Sequence, residues 1–375
     1  MRSVGLDILR IIAVFLVLGN HLGLSASMWE SLPKPVRTLL GCWIRGGWVG
    51  VDLFFVLSGF LVSSLMFREH RRYGQVNLTR FLIRRGFKIY PAFWVFLAFS
   101  ICVRCRLGHG SSLKNVLGEL LFLQNYLGAI WNHTWSLAVE EHFYLGIAAL
   151  FGCWAWFTPK HTFSAIPIMF VFLGSLCLVL RIANSAAFPE YIFVRDLART
   201  HLRIDSLFFG VLLSYLCIFR NLEEKLASLP TWLFFAVGCS LLSPAFIFSR
   251  ESNNWILTVG VVLFYIGSGS ILMGALRFPK SNSVPINCLG LLGAASYSIY
   301  LWHMPVNVWG WWLMQKVCGL DGFVSYFIVY IIGSCLFGLV MSRVVEFPIL
   351  RLRDFLFPSE IRANATESEA VGSNN

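Results

Sequence analysis

Three ionisable residues interrupt the apolar run LDILRIIAVFLVLGNH (6–21): Asp7, Arg10 and His21. A charge inside a lipid-spanning helix costs a few kcal/mol on insertion scales, so such residues mark a function or a pairing. On a helix, Arg10 and His21 fall within about 20° of the same face and about 16 Å apart along the axis. Asp7 precedes Arg10 by three positions, the spacing of an ion pair. The run therefore presents one polar stripe, with an acid–base pair near its start and an imidazole more than halfway across. Histidine is suited to take up and return a proton near neutral pH. The structural alternative has Arg10 reaching lipid headgroups and His21 bonding a neighbouring helix.

Other polar islands repeat the pattern. GGWVGVDLFFVLSGFLV (46–62) places Asp52 and Ser58 in an apolar stretch whose glycines permit close helix contact. RRGFKIYP (84–91) gathers Arg84, Arg85 and Lys88, which suits phosphate binding as well as anchoring. HTWSLAVEEHFYL (133–145) carries Ser136, Glu140, Glu141 and His142, with Ser136 and Glu140 one helical turn apart. Its carboxylates are expected to orient an imidazole or pair with a cation from another helix. Arg203 and Asp205 in RIDSLFFG are candidates for such a pair. In YSIYLWHMP (297–305) the aromatics suit interfacial anchoring, whereas His303 calls for another explanation. Glu346, in EFPILRLRD, is placed to pair with Arg351 or to line a mouth of the bundle.

The elements that must hold these residues follow from composition. Of 375 residues, 57% are hydrophobic and 13% charged, with mean hydropathy +0.70. Soluble domains carry about twice that charge fraction. The predicted class is all-α: a polytopic transmembrane bundle of about ten spans, near 6–24, 48–67, 86–103, 136–157, 164–183, 203–220, 231–249, 255–276, 290–312 and 323–345. The net charge of +11 belongs to loops and lipid headgroups, not to nucleic acid. The basic stretch 67–88 puts that loop and both termini in the cytoplasm of a multi-pass cell (inner) membrane protein. RDLARTHLRID (195–205) then lies outside despite its positive charge, which points to contact with an acidic or polyhydroxyl acceptor. A short re-entrant or interfacial helix is expected around VLGELLFLQNYL (116–127).

The predicted organisation is a transmembrane domain over 1–350 and a disordered cytoplasmic tail over 351–375. The tail's Asn364-Ala365-Thr366 sequon would not meet the glycosylation machinery there. The first run, although flanked like a secretory signal, is read as a retained span. Ten scattered cysteines, with one CxxC at Cys102 and Cys105, indicate neither a disulfide framework nor a metal site. There is no internal repeat, P-loop or Rossmann glycine pattern.

Taken in order, LDILR…NH, GGWVGVDLFFVLSGFL, RRGFKIYP, TWSLAVEEHFYL, RIDSLFFG, YSIYLWH and the final EFP resemble the integral-membrane acyltransferase family 3 over about residues 3–350. The family includes O-acetyltransferases of surface polysaccharides and peptidoglycan. The resemblance implies that an acyl group, usually acetyl, passes from cytoplasmic acyl-CoA to a hydroxyl, usually of a sugar. It also implies that Arg10 and His21 are essential and that the cations before the third span help hold the donor. Two positions depart from the family pattern. Lys88 stands where a second arginine of Arg-x-x-Arg is usual, keeping the charge but losing the bidentate fork. His142 stands where glutamine usually follows the paired glutamates. An esterase-like domain, found after the last span in some relatives, is not expected here.

Residues and resemblance together lead to one expected mechanism. Arg84, Arg85, Lys88 and Arg10 hold the acyl-CoA phosphates, with no tightly bound cofactor or metal. His21 acts as general base, its tautomer fixed by Glu140, Glu141 or Asp52; acyl transfer through His21 itself is the variant. The acceptor is a carbohydrate or glycolipid, and the lipid bilayer is the remaining partner. The competing class is a transporter or flippase for a lipid-linked sugar or polyhydroxyl solute, because buried Arg, His and Glu also build proton relays. Against it, no symmetric pair of Gly/Pro-broken spans marks inverted repeats. A non-catalytic assembly partner would leave the buried polar residues unexplained.

Overall fold

The computed structural model describes residues 4–157, 163–278 and 283–357. Among the described residues every regular element is helical, and each of the ten apolar runs falls on helix. Five helices are long and apolar enough to cross a membrane: Lys34–Tyr73, Leu78–Arg106, Ile166–Ala187, Ile256–Leu276 and Phe323–Leu356. That is fewer than the ten spans expected. Val4–Asn20, Ile204–Arg220 and Thr231–Ile247 are 17 residues each.

The helices that build the site are α1 (Val4–Asn20), α2 (Gly50–Tyr73), α3 (Leu78–Arg106), α4 (Leu113–Leu120), α5 (Trp135–Phe157), α6 (Ile166–Ala187), α7 (Ile204–Arg220), α8 (Val284–Ala294), α9 (Ser296–Pro305) and α10 (Phe323–Leu356). The expected basic loop 67–88 is a short turn instead. Gly74, at φ +74°, ends α2 in the left-handed conformation, and the Asn77 side chain caps α3 by accepting from the Arg80 N–H at 2.9 Å. The basic residues therefore sit on helix, one set at the end of α2 and the other along the first turns of α3. The expected span 290–312 is also divided, because the chain bends at Ala295 between α8 and α9. The last helix runs past residue 350 to Leu356, and the rest of the expected tail lies outside the described residues.

Small residues decide which helices touch. A Cβ at Gly59 of α2 would overlap the Leu207 carbonyl of α7, and one at Gly210 would overlap the Val56 carbonyl. Gly47 and Gly50 likewise admit the carbonyls of Leu16 and Ala13 from α1. Backbones this close maximise van der Waals contact where lipid supplies no hydrophobic drive. As a result α2 packs against α1 on one side and α7 on the other, and residues of α3, α5, α8 and α9 line a cavity together with Arg10 of α1. The expected helix within 104–134 is present as α4 and a single turn, Gln124–Leu127.

Candidate active site

Three imidazoles meet at the far end of α1. His21 follows the last residue of the helix, in its closing turn, with its N–H bonded to the Leu18 carbonyl. Its ring lies 5.0 Å from that of His303 on α9, which lies 4.9 Å from that of His133, just before α5. His133 and His303 are fully buried; His21 is half-buried. Each ring has one nitrogen against a main-chain carbonyl: Nδ1 of His21 on Val17 at 2.9 Å, Nδ1 of His303 on Tyr300 at 2.5 Å and Nε2 of His133 on Leu301 at 3.2 Å. A carbonyl only accepts, so these nitrogens carry the protons. The bare nitrogens are then Nε2 of His21, Nε2 of His303 and Nδ1 of His133, and the last two are buried without a partner.

The surroundings hold each ring in place. The main chain of His21 accepts from Asn307 Nδ2 at 2.6 Å, and Asn307 accepts from Tyr326 OH at 2.8 Å. Tyr326 OH also accepts from the Gly23 N–H, and Tyr330 OH donates to the Leu18 carbonyl. On the other side, Glu119 of α4 accepts from the N–H groups of Ile130 and Trp131 and from the Thr134 hydroxyl, at 3.1, 3.2 and 3.0 Å. Gln124 and Asn125 donate to the carbonyls of Thr134 and Trp135. This network shapes the segment that delivers His133. Burial pushes the Glu119 carboxyl up to about 7, against the opposing pull of its three hydrogen bonds.

Beside the imidazoles lies a cavity of about 360 Å³. Arg10, Arg85 and Lys88 line it, as do Ser58, Ser136, Glu140, Tyr144 and Tyr300, and the Tyr300 ring packs against His133 and His303. Tyr300 OH donates to the His133 carbonyl and hydrogen-bonds Ser136 Oγ, both at 2.7 Å, and its ring is 5.6 Å from that of His303. Lys88 pairs with Glu346, which also accepts from Ser298 Oγ at 2.6 Å. The Arg85 guanidinium packs over the ring of Tyr144 at 5.4 Å and has no ion-pair partner among the described residues. Arg10 pairs with Asp7 at 2.5 Å, as the spacing predicts.

Several expected roles are corrected. Neither Glu140 nor Glu141 meets an imidazole. Glu140 accepts from Tyr144 OH at 2.7 Å and Ser58 Oγ at 3.3 Å, and Glu141 from Tyr90 OH. The Val17 carbonyl, not a carboxylate, fixes the tautomer of His21. Arg84 points away from the cavity, to Asp354 at 3.0 Å and the Phe357 carbonyl, because it lies one residue round the helix from Arg85. Arg203 and Asp205 do not pair, since residues two apart on a helix face different sides. Arg203 meets Asp52 at 2.7 Å, and Asp205 meets Arg181 of α6 at 2.8 Å. Glu346 pairs with Lys88 rather than Arg351. His142 is turned from the cavity toward Thr200 Oγ1 at 2.7 Å. His133 was not anticipated as a site residue; only its place at the head of TWSLAVEE hinted at it. Arg181 and Glu119, also unanticipated, lie in segments whose sequences carry no such signal.

No three His, Cys, Asp or Glu side chains among the described residues are arranged to hold a metal ion, and the ten cysteines are unbonded. The chain matches the acyltransferase family 3, described as an acyltransferase domain, over residues 3–343. The chain belongs to this family. It thus carries an acyltransferase domain within a multi-helix membrane protein. Among similar proteins is O-acetyltransferase OatA of Staphylococcus aureus strain NCTC 8325 / PS 47, 24% identical over 372 residues, covering 92% of this chain and 57% of OatA. The OatA of strain MRSA252 matches to the same extent. A provisionally named O-acetyltransferase of strain COL is 27% identical over 329 residues, 80% of this chain and 50% of its own length. The chain therefore spans little more than half the length of these relatives. No solved structure matches it. Seen as a member of the family, the chain places Arg10 and His21 at opposite ends of one helix, with the cavity against the first and the histidine cluster around the second.

Proposed function

We propose that the chain is a membrane O-acyltransferase that moves an acyl group, by default acetyl, from acyl-CoA to a hydroxyl of a carbohydrate or lipid-linked glycan. The observation that carries this reading is the juxtaposition of a cation-lined cavity with a cluster of neutral-tautomer imidazoles, bridged by Tyr300, which lines the cavity and packs against His133 and His303. Arg85, Lys88 and Arg10 bind the CoA phosphates at the cytoplasmic side; the Arg85 guanidinium, packed over Tyr144 and in no ion pair among the described residues, is suited to bidentate phosphate contact. The apolar lining of Val51, Phe54, Leu57 and Leu61 takes the pantetheine arm and the acyl group. His21, whose Nδ1–H is held by Val17, presents Nε2 as general base. The acceptor oxygen attacks the thioester carbonyl as its proton moves to His21, and the tetrahedral intermediate expels the CoA thiolate. The names of the OatA relatives support acetyl transfer to oxygen.

General-base catalysis contributes roughly 10²–10⁴-fold. His21→Ala is expected to abolish ester formation while the protein stays inserted and folded. Membranes containing each form are given radiolabelled acetyl-CoA, and hydroxylamine-labile label is counted. Undiminished label with His21→Ala rules the reading out. Mass spectrometry of the labelled product names the acceptor.

A further inference from the structure

The mechanism above uses one imidazole, yet the site has three. His133 comes from the segment shaped by Glu119, and His303 from α9; neither is adjacent in sequence to His21. Ring centres 4.9 and 5.0 Å apart are close enough for nitrogens of neighbouring rings that face each other to share a hydrogen bond. Each N–H is spent on a main-chain carbonyl, which cannot pass a proton on. What each ring offers the cluster is a lone pair. Two of those lone pairs, Nε2 of His303 and Nδ1 of His133, are buried and unsatisfied. A buried acceptor left unpaired destabilises the fold, so the retention of two calls for a use. Charges this close in a buried site repel strongly, so the cluster holds one proton at a time.

We propose that His133 and His303 are functional partners of His21, the three imidazoles forming a single-proton store between acceptor and donor. This rests on the acyl-transfer reading. As the acceptor oxygen bonds to the thioester carbon, its proton passes to Nε2 of His21. Nε2 of His303 and Nδ1 of His133 share that proton by hydrogen bonding. When the carbon–sulfur bond breaks, the proton leaves the cluster for the thiolate sulfur, giving free CoA thiol and the ester. One proton moves from oxygen to sulfur, and no other reactant is consumed. His133 stands next to the cavity wall, where Tyr300 OH bonds its own carbonyl, so the store reaches toward the side on which the thiolate is released.

Amide replacements separate the lone pair from the anchoring N–H. At position 133, Gln keeps a donor for the Leu301 carbonyl but loses the acceptor at Nδ1, whereas Asn keeps an acceptor there and loses the anchor. At position 303 the order is reversed: Asn keeps the donor to the Tyr300 carbonyl, and Gln keeps an acceptor at the ε position. In membranes supplied with radiolabelled acetyl-CoA, His133→Gln and His303→Asn are expected to lower kcat roughly 10²-fold at unchanged KM for acetyl-CoA, in the range of lost proton-transfer catalysis. His133→Asn and His303→Gln are expected to retain several-fold more activity than their counterparts. The ratio within each pair is read, so a common loss of folded protein cancels. Ratios near one, or the opposite order at both positions, overturn the proposal. Such a result with His21→Ala still inactive removes the store alone. Full activity in His21→Ala removes the acyl-transfer reading as well.

Discussion

Tyr300 OH donates to the main-chain carbonyl of His133 and meets Ser136 Oγ, each at 2.7 Å, so one phenol both braces an imidazole-bearing loop and closes the inner end of the cavity. Removing the hydroxyl in Tyr300→Phe leaves the His133 carbonyl unpaired. A hydrogen bond of this type is worth about 1 kcal/mol, and an orphaned buried partner costs more. The expected result is a kcat lower by roughly five- to thirtyfold, with KM for acetyl-CoA changed less, measured as labelled ester in membranes. Unchanged kcat would show that the phenol does not hold the site.

Arg84 and Arg85 are adjacent in sequence and separate in role. Arg85→Ala is expected to raise KM for acetyl-CoA about tenfold or more, because a charge-assisted contact to phosphate is lost. Arg85→Lys should fall between, keeping charge without the fork. Arg84→Ala should leave KM near wild type and instead loosen the end of α10 from α3, since its partners are Asp354 and the Phe357 carbonyl. Equal effects on KM from both alanine variants would contradict this division.

Asp52 and Arg203 tie α2 to the start of α7 in full burial, and Arg203 is also enclosed by the rings of Trp48, Phe55 and Trp135. Breaking such a pair from one side strands the other charge and costs about 3–5 kcal/mol. Asp52→Leu and Arg203→Met should each lower the melting temperature in detergent sharply. The double variant should recover much of the loss, because two apolar side chains leave no stranded charge. Additive losses would mean that the two residues act independently.

Glu119 makes stability depend on pH in a defined direction. Its carboxyl is pushed up to about 7 in the folded protein, so the native state binds a proton more tightly than the unfolded chain. Unfolding then releases that proton, and stability falls as pH rises. The contribution is complete below the unfolded value near 4.5 and is lost as pH climbs through about 7. Melting temperatures taken from pH 5 to pH 8 should decline less steeply in Glu119→Gln than in wild type. Identical slopes would exclude Glu119 as the source.

Much of this protein was legible from its residues. Uninterrupted apolar runs force helix, because lipid cannot satisfy free backbone groups, and every such run lies for most of its length on helix. The Asp7–Arg10 pair follows from three-residue spacing alone, and the polar stripe joining Arg10 to His21 follows from helical periodicity. Glycines at 47, 50 and 59 announced close crossings that the structure contains.

Local spacing cannot choose partners across helices, and there the tertiary structure decided. Arg203 passes over Asp205 for Asp52, about 150 positions away, because α2 and α7 cross at Gly59 and Gly210. Arg84 leaves the cavity to Arg85 because a single step along a helix turns a side chain through about 100°. His21, His133 and His303 lie in three separate segments, and only tertiary packing sets the ring of His303 5.0 Å from that of His21 and 4.9 Å from that of His133. Periodicity places a residue on a face of its own helix; which face meets which is settled by the shapes that fit together.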